Sequence, residues 1–327
     1  MCELFQVLIT KEAYELERES FMKITELIDE VEKVVLGKRN VVQLTIAALL
    51  ADGHVLFEDV PGVGKTVMVK AIAKAVHGAF SRIQFTPDLL PSDILGVSIF
   101  NSQTNQFEFR KGPIFTNILL ADEINRTTPR TQAALLEAMS ESAVTIDGKT
   151  YPLSENFFVM ATQNPIDYEG TYPLPEAQLD RFLFKLSIGY PSAADELRLI
   201  QQSTLQTTQI IHQVIDSHQL EALKRQVEEV YVDEVVAKYA LALVHKSRTH
   251  ESVSLGISPR GSIAFIRGAK AYAMTQGRLF VTPTDLQTIF PAVFSHRIQI
   301  KSARVTAAQV ANILTEILDE VPVPVRR

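Results

Sequence analysis

Between residues 38 and 190, short apolar runs alternate with stretches of helical period, and this alternation constrains the fold more than any other feature. The runs are His54–Phe57, Arg82–Phe85, Ile118–Leu120, Phe157–Ala161 and Phe184–Ile188. Runs this short and apolar read as strands buried on both faces, so they predict an α/β core: a five-stranded, mostly parallel sheet sandwiched by helices. After Pro191 such runs vanish, and helical periodicity takes over through 197–203, 218–248, 260–276 and 304–319. That change predicts a smaller, all-helical second domain. Upstream, Ile24, Leu27, Ile28, Val31 and Val34 recur at helical spacing, as on an amphipathic helix packed on the core. Met22 offers a second translation start, which sets residues 1–21 apart as an N-terminal extension. The expected organisation is therefore extension 1–21, α/β core 22–191 and helical domain 192–327.

A chain of 327 residues that is 46% hydrophobic can bury a substantial core. Its net charge of -6 supplies no basic field for phosphate backbones, which disfavours nucleic acid as a partner. The single cysteine, Cys2, cannot form an intramolecular disulfide and fits a reducing compartment. No apolar stretch approaches the roughly 18 residues that span a bilayer, and no basic segment precedes an apolar one at the N-terminus. The expectation is a soluble, cytoplasmic protein.

The run Glu58-Asp59-Val60-Pro61-Gly62-Val63-Gly64-Lys65-Thr66 lies between a predicted strand and a predicted helix, the context of a phosphate-binding loop. Amides from Gly62 to Thr66 can wrap a phosphate, because glycine accepts the required dihedrals and the helix start adds positive potential. Lys65 would neutralise the β- and γ-phosphates, and the Thr66 hydroxyl would bind Mg²⁺. Asp59 stands where the generic pattern has Gly; aspartate tolerates unusual turn dihedrals better than most residues.

About 55 residues on, Asn117-Ile118-Leu119-Leu120-Ala121-Asp122-Glu123 is an apolar strand ending in two acids. A carboxylate at the C-terminal end of a parallel strand reaches the crevice where such sheets bind ligands. Asp122 would hold the hydration shell of Mg²⁺. Glu123, expected to diverge from it by strand alternation, would orient and deprotonate a water. The next strand ends in Thr162-Gln163-Asn164-Pro165, which places the Asn164 amide near the same water or the γ-phosphate. In Glu176-Ala177-Gln178-Leu179-Asp180-Arg181-Phe182, Arg181 could reach the γ-phosphate of a neighbouring subunit; such arginines contribute roughly 10³ to 10⁵ in rate where measured. Ser258-Pro259-Arg260-Gly261 reads as a helix start with Ser258 as cap and Arg260 in the first turn. A cation there opposes the helix dipole, a placement that a bound phosphate would relieve.

Together these strings resemble the AAA+ ATPases, and within them the MoxR family, in the branch that includes the magnesium-chelatase ATPase subunit. The likeness covers about residues 22 to 320 and includes Ala121-Asp122-Glu123-Ile124-Asn125-Arg126, Ala161-Thr162-Gln163-Asn164-Pro165 and Leu174-Pro175-Glu176-Ala177-Gln178-Leu179-Asp180-Arg181-Phe182. Asp59 is itself common in that family. The resemblance implies a P-loop AAA+ core followed by a lid, with Pro61, Gly62, Val63, Gly64, Lys65, Thr66 and Val67 forming Walker A. It makes Asp122 and Glu123 Walker B, Asn164 sensor 1, Arg181 the arginine finger and Arg260 sensor 2. Val35 and Gly37 would line the adenine. Gly261 replaces a customary Ala, and Arg130 a frequent Lys.

The branch is marked by inserted hairpins, and two are legible here. Val144 to Tyr151 holds Asp147-Gly148 between extended residues; Val97–Phe100 and Gln106–Arg110 form a second pair across a longer loop. In the family such hairpins face a central channel. The implied activity is Mg²⁺-dependent ATP hydrolysis by a homo-oligomer, expected to be a hexameric ring, that remodels or activates client proteins with a von Willebrand factor A domain partner. The core motifs do not separate this from a metal-chelatase ATPase subunit. A DNA motor is disfavoured by the short tail Val321–Arg327, and a non-hydrolysing scaffold by the presence of Glu123, Asn164 and Arg181.

Overall fold

Four of the five apolar runs become strands buried on both faces of a sheet, and Arg82–Phe85 becomes an edge strand with one polar face. In the computed structural model, which describes residues 2–164, 171–201, 211–302 and 305–324, with side chains left out for 2–14 and 16, the chain opens with two helices. These are α1 (Cys2–Glu32) and α2 (Arg39–Leu50), followed by β1 (Val55–Glu58), α3 (Lys65–Ala75), β2 (Phe80–Gln84), α4 (Pro91–Leu95), β3 (Gly96–Asn101) and β4 (Gln106–Lys111). Then come β5 (Ile118–Asp122), α5 (Pro129–Glu141), β6 (Ala143–Ile146), β7 (Lys149–Pro152), β8 (Phe158–Gln163), α6 (Glu176–Leu179) and β9 (Phe184–Leu186). The remaining elements are α7 (Ala193–Gln201), α8 (Ser217–Glu229), α9 (Glu234–Thr249), β10 (Val253–Leu255), α10 (Pro259–Thr275), α11 (Pro283–Phe294), β11 (Gln299–Ile300) and α12 (Ala307–Glu320).

The central sheet has five strands in the order β2-β5-β8-β1-β9, all parallel. Glu58 pairs with Gln163, Asp122 with Gln84, and Ala121 with Ala161. The polar residues that follow the apolar cores of β1, β2, β5 and β8 therefore share one edge of the sheet, where parallel sheets bind ligands. Leu56, Leu119, Val159 and Phe182 face one buried cluster; Val55, Phe57, Leu120 and Phe184 face the other.

Both expected hairpins form. In β6–β7 the turn residues Asp147 and Gly148 take φ of +50° and +75°, the dihedrals that make Asp-Gly a strong hairpin signal. In β3–β4, Phe100 sits opposite Phe107 with ring centroids 5.3 Å apart, and both are exposed.

Three features of the helical part differ from expectation. The stretch 218–248 is two helices, because the chain straightens at Val230, Tyr231 bridges to Phe280, and the Asp233 carboxylate caps α9 by accepting the Val235 N–H. Helix α11 lies outside the stretches expected to be helical: it has an exposed face at Thr284, Thr288 and Pro291, but the proline within it argues against a helix. It is a core helix, with Phe290 and Phe294 packed on Phe265. The region is not purely helical either, since β10 and β11 pair as a short antiparallel ribbon. Helix α1 runs across residues 21 and 22 without a break. Residues 202–203 and 304 of two expected helices, and Pro165, lie outside the described residues, among which no helix is long and apolar enough to cross a membrane.

Candidate active site

The loop after β1 owes its shape to two glycines. Gly62 and Gly64 have φ of +86° and +96°, where other residues are strained, and a Cβ added at either would meet no atom within 4 Å. Both line open space of the kind a phosphate needs at the start of α3. That space is a cavity of about 410 Å³ lined by Asp59, Pro61, Gly62, Gly64, Lys65, Thr66, Val67, Arg82, Gln84, Asp122, Glu123, Thr162, Gln163 and Asn164. A volume of several hundred Å³ is typical of small-ligand sites. Lys65 donates from Nζ to the carbonyls of Asp59 at 3.0 Å and Val60 at 3.4 Å. Burial pulls its ammonium below the usual lysine range, while Asp59, Asp122 and Glu123 oppose that shift.

Asp59 does more than permit a turn. Its φ is not positive, so the dihedral argument does not explain it. The carboxylate is 5% exposed and accepts from Ser187 Oγ at 2.7 Å, Ile188 N at 2.7 Å and Gly189 N at 3.0 Å. It ties the root of the phosphate loop to the chain leaving β9 for α7. Glu58, beside it, accepts from Gln163 Nε2 at 2.9 Å and pairs with Lys185.

At the end of β5 the two acids separate by a backbone device. The strand stops at Asp122, and Glu123 takes the left-handed conformation at φ 58°, ψ 49°. Their divergence comes from this turn and not from strand alternation, at a cost of about 1 kcal/mol for a residue with a Cβ. Asp122 accepts from Thr162 Oγ1 at 2.6 Å and from Arg82 Nη2 at 2.7 Å. The Thr162 hydroxyl also accepts the Glu123 N–H at 2.8 Å. The Glu123 carboxylate is held by Gln84 Nε2 at 3.0 Å and Arg126 Nη1 at 2.8 Å. Thr66 and Asp122 are hard oxygen donors on one cavity wall, the type Mg²⁺ takes when it retains waters and phosphate ligands. The donor set fits that ion together with a nucleotide.

Arg181 and Arg260 lie elsewhere. Neither lines this cavity. Arg181 Nη1 bonds the Leu136 carbonyl and, at 2.5 Å, Ser140 Oγ on α5. Its neighbour Asp180 accepts from Ser258 Oγ at 3.0 Å; Ser258 caps α10 by accepting the Gly261 N–H, two residues from the exposed Arg260. It is Asp180, between them in this set of contacts, that bridges core and helical domain, while the Arg181 side chain lies on α5 and Arg260 is exposed. Val35 is buried in the core, and Val63 packs against it, partly buried. At Gly37, φ is +69° and a Cβ would collide with the Asp195 carboxylate of α7; beside it, Lys38 Nζ donates to the Tyr190 carbonyl at 2.7 Å. The loop carrying Val35 and Gly37 therefore abuts the chain that Asp59 anchors.

Some polar groups that organise the site were not singled out from the sequence. Arg82 and Gln84 alternate with buried Ile83 and Phe85, a period-2 signal that places both on the polar face of an edge strand. Thr162 is buried and joins both acids. Arg297 has little local signal, because apart from the Val293 carbonyl its partners Asp180, Phe182 and Leu183 are brought to it by tertiary folding.

Comparison with known proteins agrees with this geometry. The pattern of the ATPase family associated with various cellular activities (AAA) matches residues 54–184, and that of the AAA lid domain matches 245–317. The chain is 42% identical over 280 residues to Chaperone MoxR1 of Mycobacterium tuberculosis, covering 83% of this chain and 74% of that one. The chain belongs to the MoxR family of AAA+ ATPases. It is 53% identical over 302 residues to the uncharacterized protein YeaC of Bacillus subtilis, covering 92% and 94% of the two chains. A crystal structure from Cytophaga hutchinsonii, described as that of a candidate ATPase, superposes with a TM-score of 0.88 at 37% identity over 97% of this chain and 99% of that one. ATP hydrolysis is a property of this family, and its P-loop core and lid correspond to the parallel sheet and the helical region described above.

Proposed function

We propose that this MoxR-family chain hydrolyses ATP with Mg²⁺ in a site completed by a neighbouring subunit of a homo-oligomeric, hexameric ring. The observation that carries the reading is the division of the polar residues. Lys65, Thr66, Asp122, Glu123 and Asn164 line one cavity, whereas neither arginine does: Arg181 is held on α5 and Arg260 is exposed in the first turn of α10. A γ-phosphate in the cavity of one subunit would meet such arginines from another.

In this reading the amides from Gly62 to Thr66 bind the β-phosphate, Lys65 bridges to the γ-phosphate, and Val35 and Gly37 flank the adenine. Thr66 and Asp122 would hold the metal ion, which when bound neutralises phosphate charge. Glu123 takes the proton of the attacking water once it is freed from Gln84 and Arg126, and Asn164 positions that water. The ATP cycle then drives remodelling or activation of client proteins in the cytoplasm, with a von Willebrand factor A domain protein as partner; the relative named as a chaperone favours this over metal-chelatase or DNA-motor roles.

The test is ATPase rate per subunit against protein concentration, for wild type and Arg181→Ala, with and without Mg²⁺. The reading expects Mg²⁺-dependent activity that rises with concentration, and a variant that stays near background. A concentration-independent rate untouched by the substitution overturns the shared site.

A further inference from the structure

Helix α5, which follows the Walker B turn, carries a buried amide that this mechanism does not use. Gln132 has no solvent exposure, and its Nε2 donates to three carbonyls: Tyr172 at 3.0 Å, Ile124 at 3.2 Å and Thr127 at 3.2 Å. Ile124 and Thr127 belong to the turn that leaves Asp122 and Glu123. Tyr172 belongs to the segment that leads on to Arg181. The same turn grips that segment directly, since the Asn125 carbonyl accepts the Tyr172 N–H at 2.7 Å, and Asn125 Nδ2 donates to the Asn164 carbonyl at 3.3 Å.

Further along the helix, Arg181 is moored to the Leu136 carbonyl and to Ser140 Oγ, which itself donates to the Leu136 carbonyl at 3.2 Å. Gln132, Leu136 and Ser140 are spaced by four, so they lie on one face of α5, and the rod between the first and last is about 12 Å long. Among the described residues the Nε of Arg181 is buried with no hydrogen-bond partner, as is Gln132 Oε1.

We propose that Gln132 is a positioning residue that couples the Walker B turn of one site, through α5, to the placement of Arg181 toward the next subunit. The two N–H groups of this amide, shared among carbonyls of the Walker B turn and of the Tyr172 segment, tie both segments to α5, because either moving alone leaves a carbonyl unpaired. Displacement of the turn by chemistry at Glu123 is passed to Tyr172 and to the start of α5, and the far end of the helix carries Arg181. The proposal rests on the reading of Arg181 as the residue that completes a neighbour's site.

The test is a double-mutant cycle on kcat with Gln132→Met, which keeps length but removes the donor, and Arg181→Ala, read as phosphate release at high enzyme concentration. Gln132→Met is expected to lower kcat about tenfold while leaving affinity for a fluorescent ATP analogue within about twofold. In the Arg181→Ala background the same change should cost less than about twofold, because the residue it acts through is gone. An additive loss, or a wild-type kcat for Gln132→Met beside a crippled Arg181→Ala, overturns the coupling while leaving the shared site standing. Wild-type turnover by Arg181→Ala instead overturns the shared site, and the coupling with it. Should Gln132→Met fail to fold, the exposed Ser140→Ala serves in the same cycle: a loss that vanishes without Arg181 supports the coupling, and no loss refutes it.

Discussion

Replacing Arg297 with methionine removes the most fully satisfied side chain at the seam between core and helical domain. All five guanidinium N–H groups are used: Nε to Asp180 Oδ1 at 2.7 Å, Nη1 to the carbonyls of Leu183 at 3.1 Å and Val293 at 2.6 Å, and Nη2 to those of Phe182 at 2.6 Å and Asp180 at 3.3 Å. The Arg297 side chain is 2% exposed and that of Asp180 19%. Burial lowers the pKa of Arg297 and the Asp180 partnership opposes that, so the charge itself is costly and the substitution recovers part of this cost. Four bonds to neutral carbonyls, worth about 1 kcal/mol each, are lost. Asp180 retains Ser258 and some solvent, which limits the penalty of unpairing it. The net loss is about 4 kcal/mol, in the range for breaking a buried pair. For a chain this long, about 2 °C per kcal/mol makes that a fall in Tm of roughly 8 °C by calorimetry. Arg297→Lys, with three donors for five places, should fall about half as far. A drop below about 2 °C for Arg297→Met, or wild-type stability for Arg297→Lys, would refute the view that this guanidinium fastens the two parts together.

Three further outcomes are expected. Glu123→Gln keeps the shape and the Gln84 contact but not the base, so a fluorescent nucleotide should bind as in wild type while phosphate release falls about 10² to 10⁴-fold; undiminished turnover would assign the water to another group. Asp59→Ala strands the amides of Ile188 and Gly189, and should lower stability by about 2 to 4 kcal/mol and weaken nucleotide binding, read by urea unfolding and titration; an unchanged urea midpoint would dismiss its anchoring role. Buried His54 accepts the Val159 N–H at Nδ1 and so carries its proton on Nε2 toward the Met139 carbonyl; burial pushes its pKa down to about 4. Its unfolded form, near 6.5, binds the proton first as pH falls, so about 3 kcal/mol of stability present above pH 6.5 should be lost progressively down to pH 4. His54→Gln should flatten that slope, and an equally steep slope in the variant would rule His54 out as its source.

Much of the core is local in origin and hence readable in one dimension. Short apolar runs bounded by turns read as strands, Gly62 and Gly64 supply dihedrals no other residue adopts cheaply, and Asp147-Gly148 closes a hairpin through its own backbone preferences. The helices were harder to read where a local signal misleads or a distant contact decides. In α11 an internal Pro291 argues against a helix, and in 218–248 the break at Val230 depends on a distant bridge to Phe280.

The roles of the acids show the boundary more finely. That Asp122 and Glu123 end a strand is written in the run before them, yet Glu123 diverges only because the chain turns left-handed as Thr162, from another strand, accepts its amide. Asp59 reads as a turn residue from its neighbours alone, whereas its three partners lie some 130 positions away and fix the loop to the exit of β9. Sequence by itself determined the α/β alternation, the phosphate loop and the acids at the strand end, because each depends on neighbours along the chain. Tertiary structure alone decided that Arg181 and Arg260 stand apart from the cavity, that Arg297 reaches Asp180, Phe182 and Leu183 across the seam and that Gln132 reaches Tyr172. Those contacts join residues far apart in the chain, whose meeting is set by how helices and sheet pack and not by any local pattern.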